Sequence, residues 1–263
     1  MGDELTRTAI EARLRTRTIG RNLELYDRIT STNTRAIALA RQGAPQGTLV
    51  LADAQTVGRG RLGRRWYAPP GSSLLMSLIL RPLLAPRQAQ RTTMICSLGI
   101  VEAVARECGL AAQVKWPNDI VLGGRKLGGL LTELGLHGDQ LDYVVVGMGL
   151  NVNLDVAALP DLMTPATSLS AEAGRCISRL ELLSAILEGI EARSDRLVRG
   201  WSPREEWRQH LATLGEWVRV SSLEEVIEGT AEDVDEDGAL LVRTDDGELR
   251  RVLVGDVTLQ HRD

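Results

Sequence analysis

Between Gly58 and Trp66 the sequence runs GRGRLGRRW, setting Arg59, Arg61, Arg64 and Arg65 among three glycines and ahead of a tryptophan. Guanidinium groups grip phosphate and carboxylate oxygens through paired N–H donors, and glycine lets a backbone come close to a ligand. Such a stretch can hold an anion, with Trp66 as a flat cover; taken alone it also reads as a solvated basic turn. The spacing Gly58-x-Gly60-x-x-Gly63 fits the dinucleotide fingerprint G-x-G-x-x-G. That fingerprint works only where the turn leads into a helix whose N-terminus holds the pyrophosphate. Here Pro69-Pro70-Gly71 follows and the next apolar run has strand length, which excludes the helix. The protein-kinase version of the loop fails as well, because Arg65 stands where valine is required.

Other chemistries find no support. There is no G-x-S-x-G elbow and no H-E-x-x-H, and His137, His210 and His261 have no obvious partners. Cys96, Cys108 and Cys176 are odd in number and form no C-x-x-C, so buried reduced thiols are expected, with neither disulfide nor zinc. The 31 Lys and Arg residues face 35 Asp and Glu residues, a net charge of −4, so no general basic field for nucleic acid exists and any cationic site is local. No apolar run approaches the roughly 18 residues of a bilayer span, and the N-terminus carries no apolar signal core. A soluble, cytoplasmic protein with no membrane partner is expected.

The elements that must position the arginine loop follow from periodicity. Ser31-Thr32-Asn33 supplies N-cap candidates for a helix that Gly43 ends. Residues 48–53 and 72–80 read as strands on either side of the loop. Met94, Leu98, Val101, Ala105 and Cys108 step along one face of a long helix, from about Arg87 to Gly109. After it come AQVKW, DIVL, KLGGLLTEL and LDYVVVGMGLNVNL, with turns at Gly123-Gly124 and Gly138-Asp139, which predicts consecutive antiparallel strands. Leu180, Leu183, Leu187, Ile190 and Leu197 mark another helix, and Pro203 opens a further one to about His210. From residue 215 onward, short β-like runs with turns at Asp237-Gly238 and Asp246-Gly247 predict a small β-barrel. The expected class is α+β: a mixed, largely antiparallel sheet packed by helices, with a β domain appended.

Further motifs stand in order along the chain: Lys115-Trp116-Pro117-Asn118-Asp119, then Lys126-Leu127-Gly128-Gly129, then Gly147-Met148-Gly149-Leu150-Asn151-Val152-Asn153. With Ser31-Thr32-Asn33 and Gln55-x-x-Gly58-Arg59-Gly60-Arg61-x-Gly63-Arg64-x-Trp66, they resemble the biotin protein ligases over about residues 25 to 155. The C-terminal Asp237-Gly238-Ala239-Leu240-Leu241-Val242 run agrees more loosely. The resemblance implies a catalytic domain over residues 25–214, an SH3-like β domain over 215–263 and an N-terminal extension over 1–24. It implies ATP-dependent activation of biotin to biotinyl-5′-AMP, then transfer of biotin to a lysine of a biotin carboxyl carrier domain. By that resemblance Ser31, Thr32, Asn33 and Gln55 line the biotin pocket, where capping and binding by Ser31 and Thr32 are compatible. Arg59, Gly60 and Arg61 close over biotin and the adenylate phosphate, and Lys126 holds an oxygen at the reacting centre. Trp66, Asn118 and Asn151 belong to the nucleotide side. Asp119 lies near the phosphates, where it orients either Mg²⁺ or the incoming lysine, and Mg²⁺ arrives with ATP rather than at a protein-built site.

Relatives that also repress transcription carry a helix-turn-helix needing roughly 45 residues. Only about two dozen precede the ligase-like region, so no DNA partner is expected. Trp116 and Pro117 read as packing residues. The loop from Val57 to Pro69 is expected to be mobile until a ligand orders it. A lipoate or octanoate enzyme of the same fold and a biotin-sensing repressor are the rival readings, and a monomer and a homodimer are both left open.

Overall fold

The computed structural model of the chain describes residues 5–158, 165–221, 225–253 and 255–259. Helix α1 (Arg7–Arg13) precedes strand β1 (Leu23–Ile29), helix α2 (Thr32–Arg41) and strands β2 (Leu49–Gln55) and β3 (Ser73–Leu80). The long helix α3 (Gln90–Cys108) leads to β4 (Gln113–Lys115), β5 (Asp119–Leu122), β6 (Arg125–His137) and β7 (Gln140–Asn151). Helices α4 (Leu169–Ala173), α5 (Arg179–Val198) and α6 (Arg204–Gln209) follow. Among the described residues, seven strands form one sheet in the order β1-β2-β3-β7-β6-β5-β4. Strands β4 to β7 are consecutive antiparallel neighbours, as their turns predict; β1 and β2 are parallel, and β3 lies against β7. The sheet is thus mixed and largely antiparallel.

Local chemistry sets the boundaries. The Ser31 hydroxyl accepts from the Thr34 N–H and opens α2. At the end of α3, Gly109 adopts the left-handed conformation that stops a helix, φ 69°. That helix begins at Gln90, later than its periodicity suggests, because Pro86–Gln88 forms a separate short turn first. Neither α1 nor β1 is apparent in the sequence pattern. In β1 the charged Glu24 and Arg28 interrupt the apolar run, and Glu24 is taken up by Arg35 of α2 at 2.7 Å. Ile10, Leu14 and Ile19 are buried in the main core, so the segment expected as an extension packs as part of the domain. Of the three thiols only Cys96 is buried; Cys108 is half-buried and Cys176 exposed, contrary to the expectation of burial, and all are free.

Alternation along the strands divides the sheet into two faces. Val144, Val146, Met148 and Leu150 of β7 join Leu74, Met76, Leu78 and Leu80 of β3 in the large core. Helices α3 and α5 pack together over it, Gly99 and Gly189 meeting at their crossing. On the other face, Tyr143 and Val145 of β7 pack with Ile79 under Ala36 and Ala40 of α2. Farther along that face β7 carries Gly147, under the first turn of α2, and then Gly149 beyond it.

Strands β8 (Trp217–Ser221), β9 (Val226–Val234), β10 (Leu240–Arg243), β11 (Leu249–Val252) and β12 (Asp256–Leu259) form the separate antiparallel sheet of the C-terminal barrel, in the order β11-β10-β9-β8-β12. Its Asp237-Gly238 turn sits against the rest of the chain. The Trp116 indole, 1% exposed, donates to the Gly238 carbonyl at 2.9 Å, and its backbone N–H donates to Thr213 Oγ1 at 2.9 Å. Trp116→Ala is expected to lower stability by about 3–5 kcal/mol through the cavity it leaves. Trp116→Phe keeps most of the volume and loses about 1–3 kcal/mol with the donor to Gly238. Urea denaturation midpoints check both, and a parent-like midpoint for the alanine variant would show that the joint carries no stability.

Candidate active site

Where β7 loses its side chains, a cavity of about 670 Å³ opens between the sheet, the N-terminus of α2, the β2–β3 loop and the end of the barrel. Its polar end is a chain of hydrogen bonds. Gln55 Oε1, at the end of β2, accepts from the Thr32 backbone N–H at 2.8 Å and lies 3.2 Å from the Thr32 hydroxyl. Ser77 Oγ of β3 stands 2.8 Å from Thr32 Oγ1 and 2.5 Å from Asn33 Oδ1. Because that amide oxygen can only accept, the Ser77 proton goes to Asn33, and the single proton of the Thr32 hydroxyl goes to Gln55 Oε1 or Ser77 Oγ. Ser31, Thr32, Asn33 and Gln55, expected together from the motifs, do meet here.

The Gly58–Trp66 loop folds as a tight hairpin over the opening. Arg59 and Arg65 pair as a β-bridge, Gly60 N–H donates to Arg64 O at 2.8 Å, and Trp66 N–H donates to Gly58 O at 3.0 Å. A Cβ on Gly58 would lie 2.3 Å from the Trp66 carbonyl oxygen, which makes that glycine obligatory. The arginines diverge. Arg59 reaches Glu133 of β6 at 3.0 Å. Arg61 donates to Asn118 Oδ1 at 3.0 Å and to the Gly255 carbonyl at 3.1 Å. Arg64 pairs with Asp256 of the barrel. Burial pushes the Arg61 guanidinium below its ordinary value, against the pull of Asp256 and Asp119.

At the opposite side of the cavity Lys126 Nζ bonds Asp119 Oδ1 at 2.7 Å, two neighbouring strands holding the pair. The Lys126 backbone is fixed in turn by the segment after β7, donating to Pro165 O and accepting from Thr167 N–H. Asn118 spends its Nδ2 on Leu130 O at 2.5 Å, and the buried Asn151 spends its own on Thr167 O at 3.0 Å. Trp66 lies with its ring 5.9 Å from Lys126 Nζ, and its Nε1 is buried without a partner among the described residues.

Gly147 and Gly149 admit the protein's own side chains rather than a ligand alone. A Cβ on Gly147 would stand 2.0 Å from Asn33 Oδ1, and one on Gly149 2.7 Å from the Trp66 ring. Trp66 therefore has a seat on the bare sheet, which its sequence surroundings do not reveal. Other contributors carry no role in the motif reading: Ser77, Glu133, Lys115 and the barrel residues Asp256, Val257 and Thr258 all border the cavity or its hydrogen bonds. Lys115 sits inside a recognised motif and was identifiable; burial lowers its pKa, with Lys126 adding to the shift. Ser77 is the serine in the middle of a strand that is otherwise apolar after Ser73, a polar residue at a position that faces the pocket rather than the core.

The model of the biotin/lipoate A/B protein ligase family matches residues 25–151, and the model of the biotin protein ligase C-terminal domain matches residues 213–259. The bifunctional ligase/repressor BirA of Bacillus subtilis is 35% identical over 259 residues, covering 97% of this chain and 79% of that protein. The biotin–[acetyl-CoA-carboxylase] ligase of Paracoccus denitrificans is 34% identical over 224 residues, covering 82% of this chain and 92% of its own. Among solved structures, the biotin protein ligase of Aquifex aeolicus in complex with biotin and ATP superposes with a TM-score of 0.78 at 29% identity, covering 92% of this chain and all of that one. The chain belongs to the biotin protein ligase family.

Gly147→Ala is expected to lower stability by about 1–3 kcal/mol, because Asn33 must leave its place for the added methyl. The loss should shrink when the same change is made in an Asn33→Ala background. Equal losses in the two backgrounds, read from thermal or urea denaturation, would show that the contact between residues 33 and 147 is not the reason for the glycine.

Proposed function

We propose that this chain joins the valerate carboxylate of biotin to the α-phosphate of ATP, releasing pyrophosphate, and then passes biotin from the biotinyl-5′-AMP to the ε-amine of a carrier-domain lysine, releasing AMP. The observation that carries the reading is one cavity with a hydrogen-bonding end built by Ser31, Thr32, Asn33, Gln55 and Ser77 and a cationic side built by Arg61, Lys115 and Lys126. A ureido ring needs acceptors for its N–H groups and donors for its carbonyl. Asn33 Oδ1 offers an acceptor, and the Gln55 amide nitrogen offers a donor.

The carboxylate is ionised at neutral pH and needs no further activation as a nucleophile. What the protein supplies is the meeting of two anions and charge stabilisation at the phosphorus. Lys126 releases Asp119 to hold the acyl or phosphate oxygen, Arg61 binds the phosphate beside it, and Lys115 adds positive charge at the same wall. Trp66 covers the adenylate, and Asn118 and Asn151 shape the nucleotide side through their backbone anchors. Asp119, freed of Lys126, receives the proton of the attacking lysine. Mg²⁺ fits as an ion carried by the polyphosphate, since such ions keep most of their waters and take few protein oxygens. The Asp119 carboxylate is the group suited to it here.

Incubation with Mg·ATP, labelled biotin and a biotin carrier domain is expected to add one biotin to the carrier, read by mass. Loading of lipoate or octanoate in place of biotin would overturn the assignment. Lys126→Ala is expected to keep its fold and lose about a hundredfold or more in adenylate formation, and an unchanged rate would remove Lys126 from the chemistry. Trypsin is expected to cut after loop arginines, with biotin and ATP slowing the cleavage. Equal rates with and without them would show that the loop is not a lid.

A further inference from the structure

The hydrogen-bond chain of the polar end does not stop at Asn33. Its Nδ2 donates to Leu131 O at 3.1 Å and to Glu133 Oε2 at 2.9 Å, so both amide hydrogens are used inside the protein. Its Oδ1 accepts from Ser77 and keeps one free acceptor site. The group Asn33 presents to a ligand is therefore an oxygen, suited to an N–H donor. Glu133 holds it that way: without this carboxylate one hydrogen loses its acceptor, and the amide can turn its nitrogen toward the cavity.

The same carboxylate takes Arg59 of the loop. Arg59 contacts Glu133 Oε1 at 3.0 Å and Oε2 at 3.4 Å. The pair is partly exposed, with side-chain exposures of 44% and 26%, and a partly exposed ion pair opens and closes easily. Arg59 is thus directed at the polar end, on the side of β6, while Arg61 serves the wall of Asn118 and Lys126. We propose that Glu133 is a positioning residue for substrate binding: it fixes the Asn33 amide as an acceptor for a ureido N–H and latches Arg59 over that end of the pocket. One carboxylate then ties ligand recognition to loop closure. The inference rests on the assignment of the polar end to biotin.

Glu133→Ala and the isosteric Glu133→Gln separate the two tasks. The glutamine oxygen still accepts from Asn33, while its neutral amide no longer pairs with the Arg59 cation. In Glu133→Ala the KM for biotin in adenylate formation is expected to rise about tenfold with kcat changed by less than about threefold. In Glu133→Gln most of the KM is expected to return, while trypsin cuts after Arg59 faster than in the parent for both variants. Should the alanine variant fold poorly by circular dichroism, the glutamine variant still reports the latch through Arg59 cleavage. An unchanged KM with unchanged cleavage, or a fall in kcat at constant KM, would overturn the proposal. Failure of the parent chain itself to form biotinyl-adenylate would instead overturn the assignment of function, leaving the cleavage comparison as the independent test of the latch.

Discussion

The central strand β7 lacks side chains at Gly147 and Gly149, on the face that α2 covers at Tyr143 and Val145. The space left by the two missing side chains is taken by Asn33 from the first turn of α2 and by Trp66 from the β2–β3 loop, and the cavity opens beside them. Ser77 of β3 and Leu131 of β6, the registered neighbours of Gly147, then border the same space. The opposite face of these strands is a continuous apolar layer under α3 and α5, which holds the strands rigid enough for a side chain to be placed by register alone. A site built on rigid strands is more closely defined than one built on loops. Here the arginine hairpin and the β4–β5 turn that carries Asn118 are loop contributions.

Electrostatics on the cationic side complements that geometry. Lys115 and Arg61 are both held below their ordinary values by burial, so the protein places positive charge where it is poorly solvated. Asp119 and Asp256 offset part of it, each paired with a cation of its own. Positive charge at poorly solvated positions attracts anions more strongly than it does in bulk water. The arrangement favours anions without requiring a basic protein, which is why the net charge of −4 and a cationic pocket coexist.

Much of this was legible in the sequence because chemistry and turns are local. Gly109, the Gly123-Gly124 and Gly138-Asp139 turns, the two long amphipathic helices and the barrel are all read from short spacings. The ordered motifs bring together Thr32, Gln55, Lys126 and Asp119 without any knowledge of the sheet. What stayed hidden depends on long-range pairing. The contact of β3 with β7 places Ser77 beside Gly147, 70 positions further along the chain, and nothing in either segment announces it. Likewise β1 reads as a charged segment because its outward side chains are matched by α2, and Trp66 looks unsupported until Gly149 is laid beneath it. The partners of the loop arginines, Glu133, Asn118 and Asp256, are likewise distant in sequence and meet them only in space.

The barrel enters the site through the same logic. Arg61 reaches the Gly255 carbonyl and Arg64 reaches Asp256, so the hairpin rests on the start of β12 as well as on the main sheet. Trp116, at the base of the β4–β5 hairpin that carries Asn118 and Asp119, is bonded to the barrel's Gly238 turn. The barrel is therefore fixed from the motif that supplies the pocket's acid, and it fixes the loop that supplies the pocket's arginines. The hairpin consequently has separate anchors, Glu133 of the main sheet for Arg59 and the start of β12 for Arg61 and Arg64.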